Sequence, residues 1–304
     1  MRVTLLLGFL GAGKTTLLQS ILEHGVRNER VAVIVNEFGA VGVDGEILAG
    51  RALDTIELAS GCICCSLKGP MLDAIAELAE TVAPDRLLIE ASGVAQPDDV
   101  AAALIDPALA STVELAPVIT LVDAARFRHM VSSLGSFYAE QVARADIVIV
   151  NKIDLASVDE VEAVRADIVA LNPRATIVYA ERCDVEFENL LDGRSHFEPQ
   201  DLEKAEEIHD HINMTSCVIE LISEWSHRQA DTIFSSLPDE IWRAKGFARI
   251  DGQSHLVQYA AGALELTPVG ERERHYLVLI GRILNRDSLT TLFFDGPGGA
   301  GDHA

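Results

Sequence analysis

Short apolar runs alternate with stretches of helical spacing along the first part of the chain. Met1–Leu7, Val31–Val35, Thr55–Leu58, Arg86–Ile89, Val118–Val122, Ile147–Val150 and Thr176–Tyr179 read as strands. Leu17–Leu22, Met71–Val82, Tyr138–Ala145 and Val158–Leu171 carry helical spacing. Near-continuous apolar strands separated by helices predict an α/β domain, a mostly parallel sheet covered by helices on both faces. Polar clusters stand at the carboxyl ends of these strands: Asn36-Glu37-Phe38-Gly39, Ser60-Gly61, Glu90-Ala91-Ser92-Gly93, Asp123 and Asn151-Lys152-Ile153-Asp154. Ligands of parallel sheets bind at that edge, so the pattern predicts a single site there.

The pattern changes after residue 183. Asp184 to Asn213 contains Asp192-Gly193, Glu198-Pro199 and an acidic helix-like piece, and reads as a linker. Strands are predicted at Cys217–Ile222, Phe247–Ile250, Leu256–Ala260, Leu264–Pro268 and Tyr276–Ile280, with helices at Arg228–Leu237 and Asp287–Phe294. This is a smaller α+β domain with mainly antiparallel pairing. The expected division is a nucleotide domain at 1–183, a linker at 184–213, a second domain at 214–295 and a glycine-rich disordered tail at 296–304.

The first strand runs into Gly8-Phe9-Leu10-Gly11-Ala12-Gly13-Lys14-Thr15, followed by Thr16 and a helix. This is GxxxxGK[ST] in the strand–loop–helix setting of a P-loop NTPase. Gly8, Gly11, Ala12 and Gly13 let backbone N–H groups face an anion, and the helix start adds its positive end. Lys14 is expected to reach the β- and γ-phosphates, and Thr15 to hold Mg²⁺ through its hydroxyl.

Asn151-Lys152-Ile153-Asp154 is an NKxD element. A carboxylate at Asp154 accepts from guanine N1–H and its exocyclic amine together, a donor pair that adenine lacks. Such a site rejects the wrong base, so GTP is expected over ATP. Lys152 is expected along the base and Asn151 as a brace for the loop. Glu90 and Asp123 compete for the acidic position near Mg²⁺, and Glu90 is favoured because Gly93 follows at the spacing of a γ-phosphate-sensing segment. Glu37 ends the second strand, where it faces attacking water, Mg²⁺ or a thiolate-bound metal; the sequence does not separate these.

Composition narrows the partners. The 304 residues carry a formal net charge of −23. That field repels nucleic acid and anionic membrane surfaces, so neither is expected as a partner. No run approaches the roughly 20 apolar residues of a spanning helix. Three of the five cysteines crowd into Cys62-Ile63-Cys64-Cys65. An odd number, clustered, suits a metal or redox site in a reducing compartment, so the expected location is cytoplasmic. Three thiols in one loop converge on a soft ion such as Zn²⁺, and leave zinc's fourth position to another group. Cys183 and Cys217 read as core thiols, and His209-Asp210-His211 as solvated linker.

These stretches resemble the CobW-type GTPases, relatives of the nickel-insertion GTPases of urease and hydrogenase maturation. The matching segments are GFLGAGKTT (Gly8 to Thr16), NEFG (Asn36 to Gly39), GCICC (Gly61 to Cys65), EASG (Glu90 to Gly93) and NKID (Asn151 to Asp154). Leu171-Asn172-Pro173 and Arg243-Ala244-Lys245-Gly246-Phe247 are similar to the family as well. The resemblance implies GTP hydrolysis with Mg²⁺, and zinc, cobalt or another transition metal at Cys62, Cys64 and Cys65. It also implies delivery of that metal to a client metalloprotein, and it allows a homodimer. Many relatives carry a histidine-rich stretch near the domain junction, where this chain has only His196, His209 and His211. The alternative is a regulatory or assembly GTPase whose cysteines are structural or redox.

Overall fold

The computed structural model describes residues 1–26, 29–38, 54–60, 68–93, 97–104, 106–107, 109–196, 214–238, 240–260, 262–282 and 284–295. They fall into two compact units, the first holding the described residues up to 196 and the second those from 214.

In the first unit, strands β1 (Arg2–Gly8), β2 (Val31–Phe38), β3 (Asp54–Ser60), β4 (Arg86–Glu90), β5 (Glu114–Asp123), β6 (Ile147–Asn151) and β7 (Thr176–Tyr179) form one sheet in the order β3-β2-β4-β1-β5-β6-β7. Every described pairing in it is parallel. Val3, Leu5 and Leu7 face one apolar layer with Met71, Ile75 and Leu78, while Leu6 faces the other with Leu17, Leu18 and Ile21. Two buried faces explain why the strands lack polar alternation.

The helices are α1 (Lys14–Ser20), which widens into a π turn at Ile21–Gly25, α2 (Lys68–Thr81), α3 (Pro97–Leu104), α4 (Phe127–Leu134), α5 (Ser136–Ala143), α6 (Val158–Leu171) and α7 (Glu188–Leu191). The bounds of α6 and β7 match the sequence pattern. Ser157 and Glu160 explain the sharp start of α6, since they form a reciprocal capping box. Helices α3 and α4 have no counterpart among the predicted elements.

The expectation of a linker from Asp184 is corrected over residues 184–196. Leu190 and Leu191 are buried with Leu17, Leu18 and Ile21. Arg86, almost wholly buried, forks onto Glu29 through Nε at 2.6 Å and Nη2 at 3.1 Å, and donates from Nη1 to the Leu191 carbonyl at 2.9 Å. Farther on, the Asp146 carboxylate accepts from the Ser195 hydroxyl at 2.6 Å and the His196 backbone N–H at 2.8 Å.

The second unit is a five-stranded antiparallel sheet, ordered β11-β10-β9-β12-β8. Its strands are β8 (Met214–Glu220), β9 (Ile241–Ile250), β10 (Gln253–Ala260), β11 (Ala263–Pro268) and β12 (Tyr276–Arg282), with helices α8 (His227–Ser235) and α9 (Arg286–Asp295). Trp225, Phe234, Tyr259 and Phe293 centre its core. Asp251-Gly252, both at positive φ, make the two-residue turn between β9 and β10, as the Asp-Gly pair favours. The predicted tail from Gly296 lies outside the described residues.

Candidate nucleotide site

β1 is flanked by β4 on one side and β5 on the other. The chain leaves β1 at Gly8, turns through Gly11 at φ +78° and Gly13 at φ +113°, and starts α1 at Lys14. No side chain caps α1, so its first N–H groups face the loop. Gly13 is required both by its dihedral and by space. A Cβ there would lie 2.6 Å from Asn151 Nδ2 and 2.8 Å from Cys183 Sγ. The Lys14 ammonium is buried and donates to the carbonyls of Gly8 at 2.8 Å and Phe9 at 3.3 Å. Thr16 is exposed on the first turn of α1.

The two competing carboxylates separate cleanly. Thr15 Oγ1 donates to Glu90 Oε1 at 2.8 Å, and Glu90 is buried. Asp123, at the end of β5, instead pairs with Lys152 Nζ at 2.9 Å. A hydroxyl and a carboxylate oxygen held together are hard donors of the kind Mg²⁺ takes. Gly93, just beyond β4, backs onto the phosphate loop, where a Cβ would meet Leu10 N at 2.7 Å and Leu10 Cδ2 at 2.6 Å.

Asn151 ties the two nucleotide motifs together. Its Nδ2 donates to the Ala12 carbonyl at 2.9 Å, and its Oδ1 accepts from the Cys183 N–H at 2.9 Å. Cys183 Sγ accepts from Asn151 Nδ2 at 3.0 Å and lies 3.3 Å from the Gly13 carbonyl, to which the thiol donates. Burial pushes the Cys183 thiol up to about 11, outweighing the pull of Lys152 and the Asn151 bond. Cys183 is therefore more than the core thiol the sequence suggested. No periodicity marks it, because its partners come from β6 and the phosphate loop. Lys152 adopts the left-handed conformation, φ +61°, and Asp154 is exposed on the turn that follows.

The far edge of the sheet leads toward the cysteines. β2 and β3 pair with Glu37 opposite Ala59 and Phe38 opposite Ser60. β3 thus ends, at Ser60, beside the end of the strand that carries Glu37. The Glu37 side chain and Cys62, Cys64 and Cys65 lie outside what is described, as do His209 and His211. Cys217 in β8 is half-buried.

A parallel sheet with this glycine loop at its centre defines a P-loop nucleotide-binding protein. Residues 2–179 match the CobW/HypB/UreG nucleotide-binding domain, and residues 214–295 match the cobalamin synthesis protein cobW C-terminal domain. The chain belongs to the CobW/HypB/UreG family. It is 31% identical over 327 residues to the zinc chaperone CobW of a Sinorhizobium species, covering 91% of this chain and 92% of the relative. It is 32% identical over 315 residues to the zinc chaperone YjiA of Escherichia coli, covering 96% and 97%. Among solved structures, the Zn(II)-bound YjiA GTPase from E. coli is 25% identical, covers 98% of this chain and 99% of its own, and has a TM-score of 0.47. No helix among the described residues is long and apolar enough to cross a membrane.

Proposed function

We propose that this chain hydrolyses GTP to GDP and phosphate, and uses the cycle to hold a transition metal, zinc or cobalt foremost, and pass it to a client metalloprotein in the cytoplasm. The observation that carries the reading is the Thr15–Glu90 contact of 2.8 Å behind the phosphate loop. It joins a Mg²⁺-type hydroxyl to the strand end that leads into Gly93. The names of the relatives, zinc chaperones among them, support the cargo.

In this reading Gly8, Gly11, Ala12 and Gly13 cradle the phosphates, and Lys14 exchanges its loop carbonyls for phosphate oxygens. Thr15, backed by Glu90, would hold Mg²⁺, which when bound neutralises charge developing on the β- and γ-phosphates. Asp154 selects guanine, Lys152 lies along it, and Asn151 keeps the base loop and phosphate loop in register. Glu37 and Glu90 orient the attacking water. Its oxygen forms the new bond to the γ-phosphorus, while the bond from that phosphorus to the β–γ bridging oxygen breaks with its electron pair leaving on GDP. The water proton passes to a carboxylate or to the phosphate released.

The cargo sits on the thiolates of Cys62, Cys64 and Cys65, with its remaining position open to the client or to Glu37. That loop lies in sequence between Glu37 and the Glu90–Gly93 segment. If the γ-phosphate draws both segments in, GTP raises metal affinity and the metal raises GTP affinity by the same factor. Hydrolysis removes those contacts and loosens the ion. The test is Cys64→Ser in the full chain. It should lower bound zinc per chain while leaving binding of a fluorescent GTP analogue and docking to the client intact. Unchanged zinc would refute the cargo site.

A further inference from the structure

The second unit brings two histidines together outside every motif discussed above. His227 opens α8, and His255 stands in β10, opposite Ala248 of β9 and Pro268 of β11. Their rings lie 5.4 Å apart, centre to centre, with planes at 90°. The meeting is enforced by the backbone. Trp225 N–H donates to the Arg249 carbonyl at 3.0 Å, and Asp251 N–H donates to the Trp225 carbonyl at 2.9 Å, pinning the helix start to the Asp251-Gly252 turn.

The proton on each ring is settled by its partner. His227 Nδ1 lies 2.5 Å from Asp251 Oδ2, and His255 Nδ1 lies 3.1 Å from the Gln253 carbonyl. A carbonyl and an ionised carboxylate only accept, so both Nδ1 atoms must carry hydrogen. When a ring is neutral it then presents a lone pair at Nε2, since the hydrogen bonds found for both rings among the described residues are made through Nδ1. The His255 residue is 4% exposed, and the His227 side chain is 57% exposed. A metal-binding histidine carries this signature: Nδ1–H fixed on a carboxylate or carbonyl, Nε2 offered to the ion. The spacing fits as well. Two imidazoles sharing a tetrahedral ion at 2.0–2.1 Å per nitrogen have ring centres about 5 Å apart.

We propose that Nε2 of His227 and Nε2 of His255 bind one divalent transition-metal ion of the zinc class, with Asp251 as the carboxylate that orients His227. Among the described residues no three metal-ligating side chains converge. The pair therefore supplies two ligands and leaves the others to water or to a side chain of another protein. An ion held in this way exchanges readily. The helix start beside His227 repels a cation, and the Asp251 charge offsets it. The proposal does not depend on the cysteine loop or on nucleotide.

The experiment uses the full chain with Cys62, Cys64 and Cys65 changed to serine, titrated with cobalt chloride and followed by its visible d–d bands, and with zinc chloride by calorimetry. His227→Gln and His255→Gln should each weaken the site at least about tenfold, and Asp251→Asn about 10- to 100-fold. Nitrogen-detected imidazole spectra of the unsubstituted protein need no variant. They should show Nδ1–H on both rings and a zinc-induced shift confined to their Nε2 atoms. Equal metal affinity in His227→Gln, whose side chain is exposed, would overturn the proposal and leave an edge-to-face packing pair. So would a hydrogen on His255 Nε2.

Discussion

The Thr15 hydroxyl donates to Glu90 Oε1 across 2.8 Å, joining the helix behind the phosphate loop to the end of the neighbouring strand. Glu90→Gln keeps the shape and removes the charge. Loss of a group that supports a metal ligand costs about 10- to 100-fold in metal affinity or activity. The Mg²⁺ concentration for half-maximal GTP hydrolysis should rise by that factor, while guanine preference stays. Asp123→Asn should do the reverse, since Asp123 pairs with Lys152. It should weaken GTP binding and leave the Mg²⁺ dependence in place. Steady-state kinetics across a Mg²⁺ series checks both.

Asn151 bridges Ala12 and Cys183 from a buried position. Asn151→Ala leaves the Ala12 carbonyl and the Cys183 N–H buried without that partner. Each unsatisfied buried group costs about 1–3 kcal/mol. The variant should lose thermal stability and bind all nucleotides more weakly, GDP included. Differential scanning fluorimetry with and without GDP reads the two effects.

Asp154 is exposed at the turn after β6, and the proposed function assigns it to the guanine base. Asp154→Asn replaces an acceptor pair by one acceptor and one donor. The preference for GTP over ATP should fall by about 1–3 kcal/mol, roughly 5- to 150-fold. Competition of GTP and ATP against a fluorescent GDP measures it.

The Cys183 thiol is held up at about 11 chiefly by burial. Raising the value favours the uncharged thiol, so almost no thiolate forms at pH 8 in the folded protein. A chain with Cys62, Cys64, Cys65 and Cys217 changed to serine should react slowly with an aromatic disulfide reagent at pH 8. It should react at the rate of an ordinary thiol once urea unfolds it, because the free-chain value is near 8.5. Fast labelling of the folded chain would contradict the packed position.

The inner strands β1, β4, β5 and β6 were legible because they are almost continuously apolar and buried, as a parallel sheet with two covered faces requires. Helices α3 and α4 were not read, although Phe127, Met130 and Leu134 recur at helical spacing in α4 and are all buried. The segment 184–196 reads as linker by composition. It is drawn onto the first unit by contacts distant in sequence, Arg86 to Leu191 and Asp146 to Ser195. Strand order alone does not choose between Glu90 and Asp123, because β4 and β5 both flank β1 and both end in a carboxylate; what differs is their contacts, Thr15 for Glu90 and Lys152 for Asp123. The histidines at 227 and 255 are brought together by a turn and a helix start, and no spacing announces them.

The central claim is that the terminal phosphate of GTP and the thiol-held metal affect each other. The most direct measurement is zinc affinity of the full chain by chelator competition, once with GDP and once with a non-hydrolysable GTP analogue, each with Mg²⁺. The account predicts tighter zinc with the analogue, by about 5- to 150-fold for a coupling of 1–3 kcal/mol. Equal zinc affinity in the two nucleotide states would contradict it.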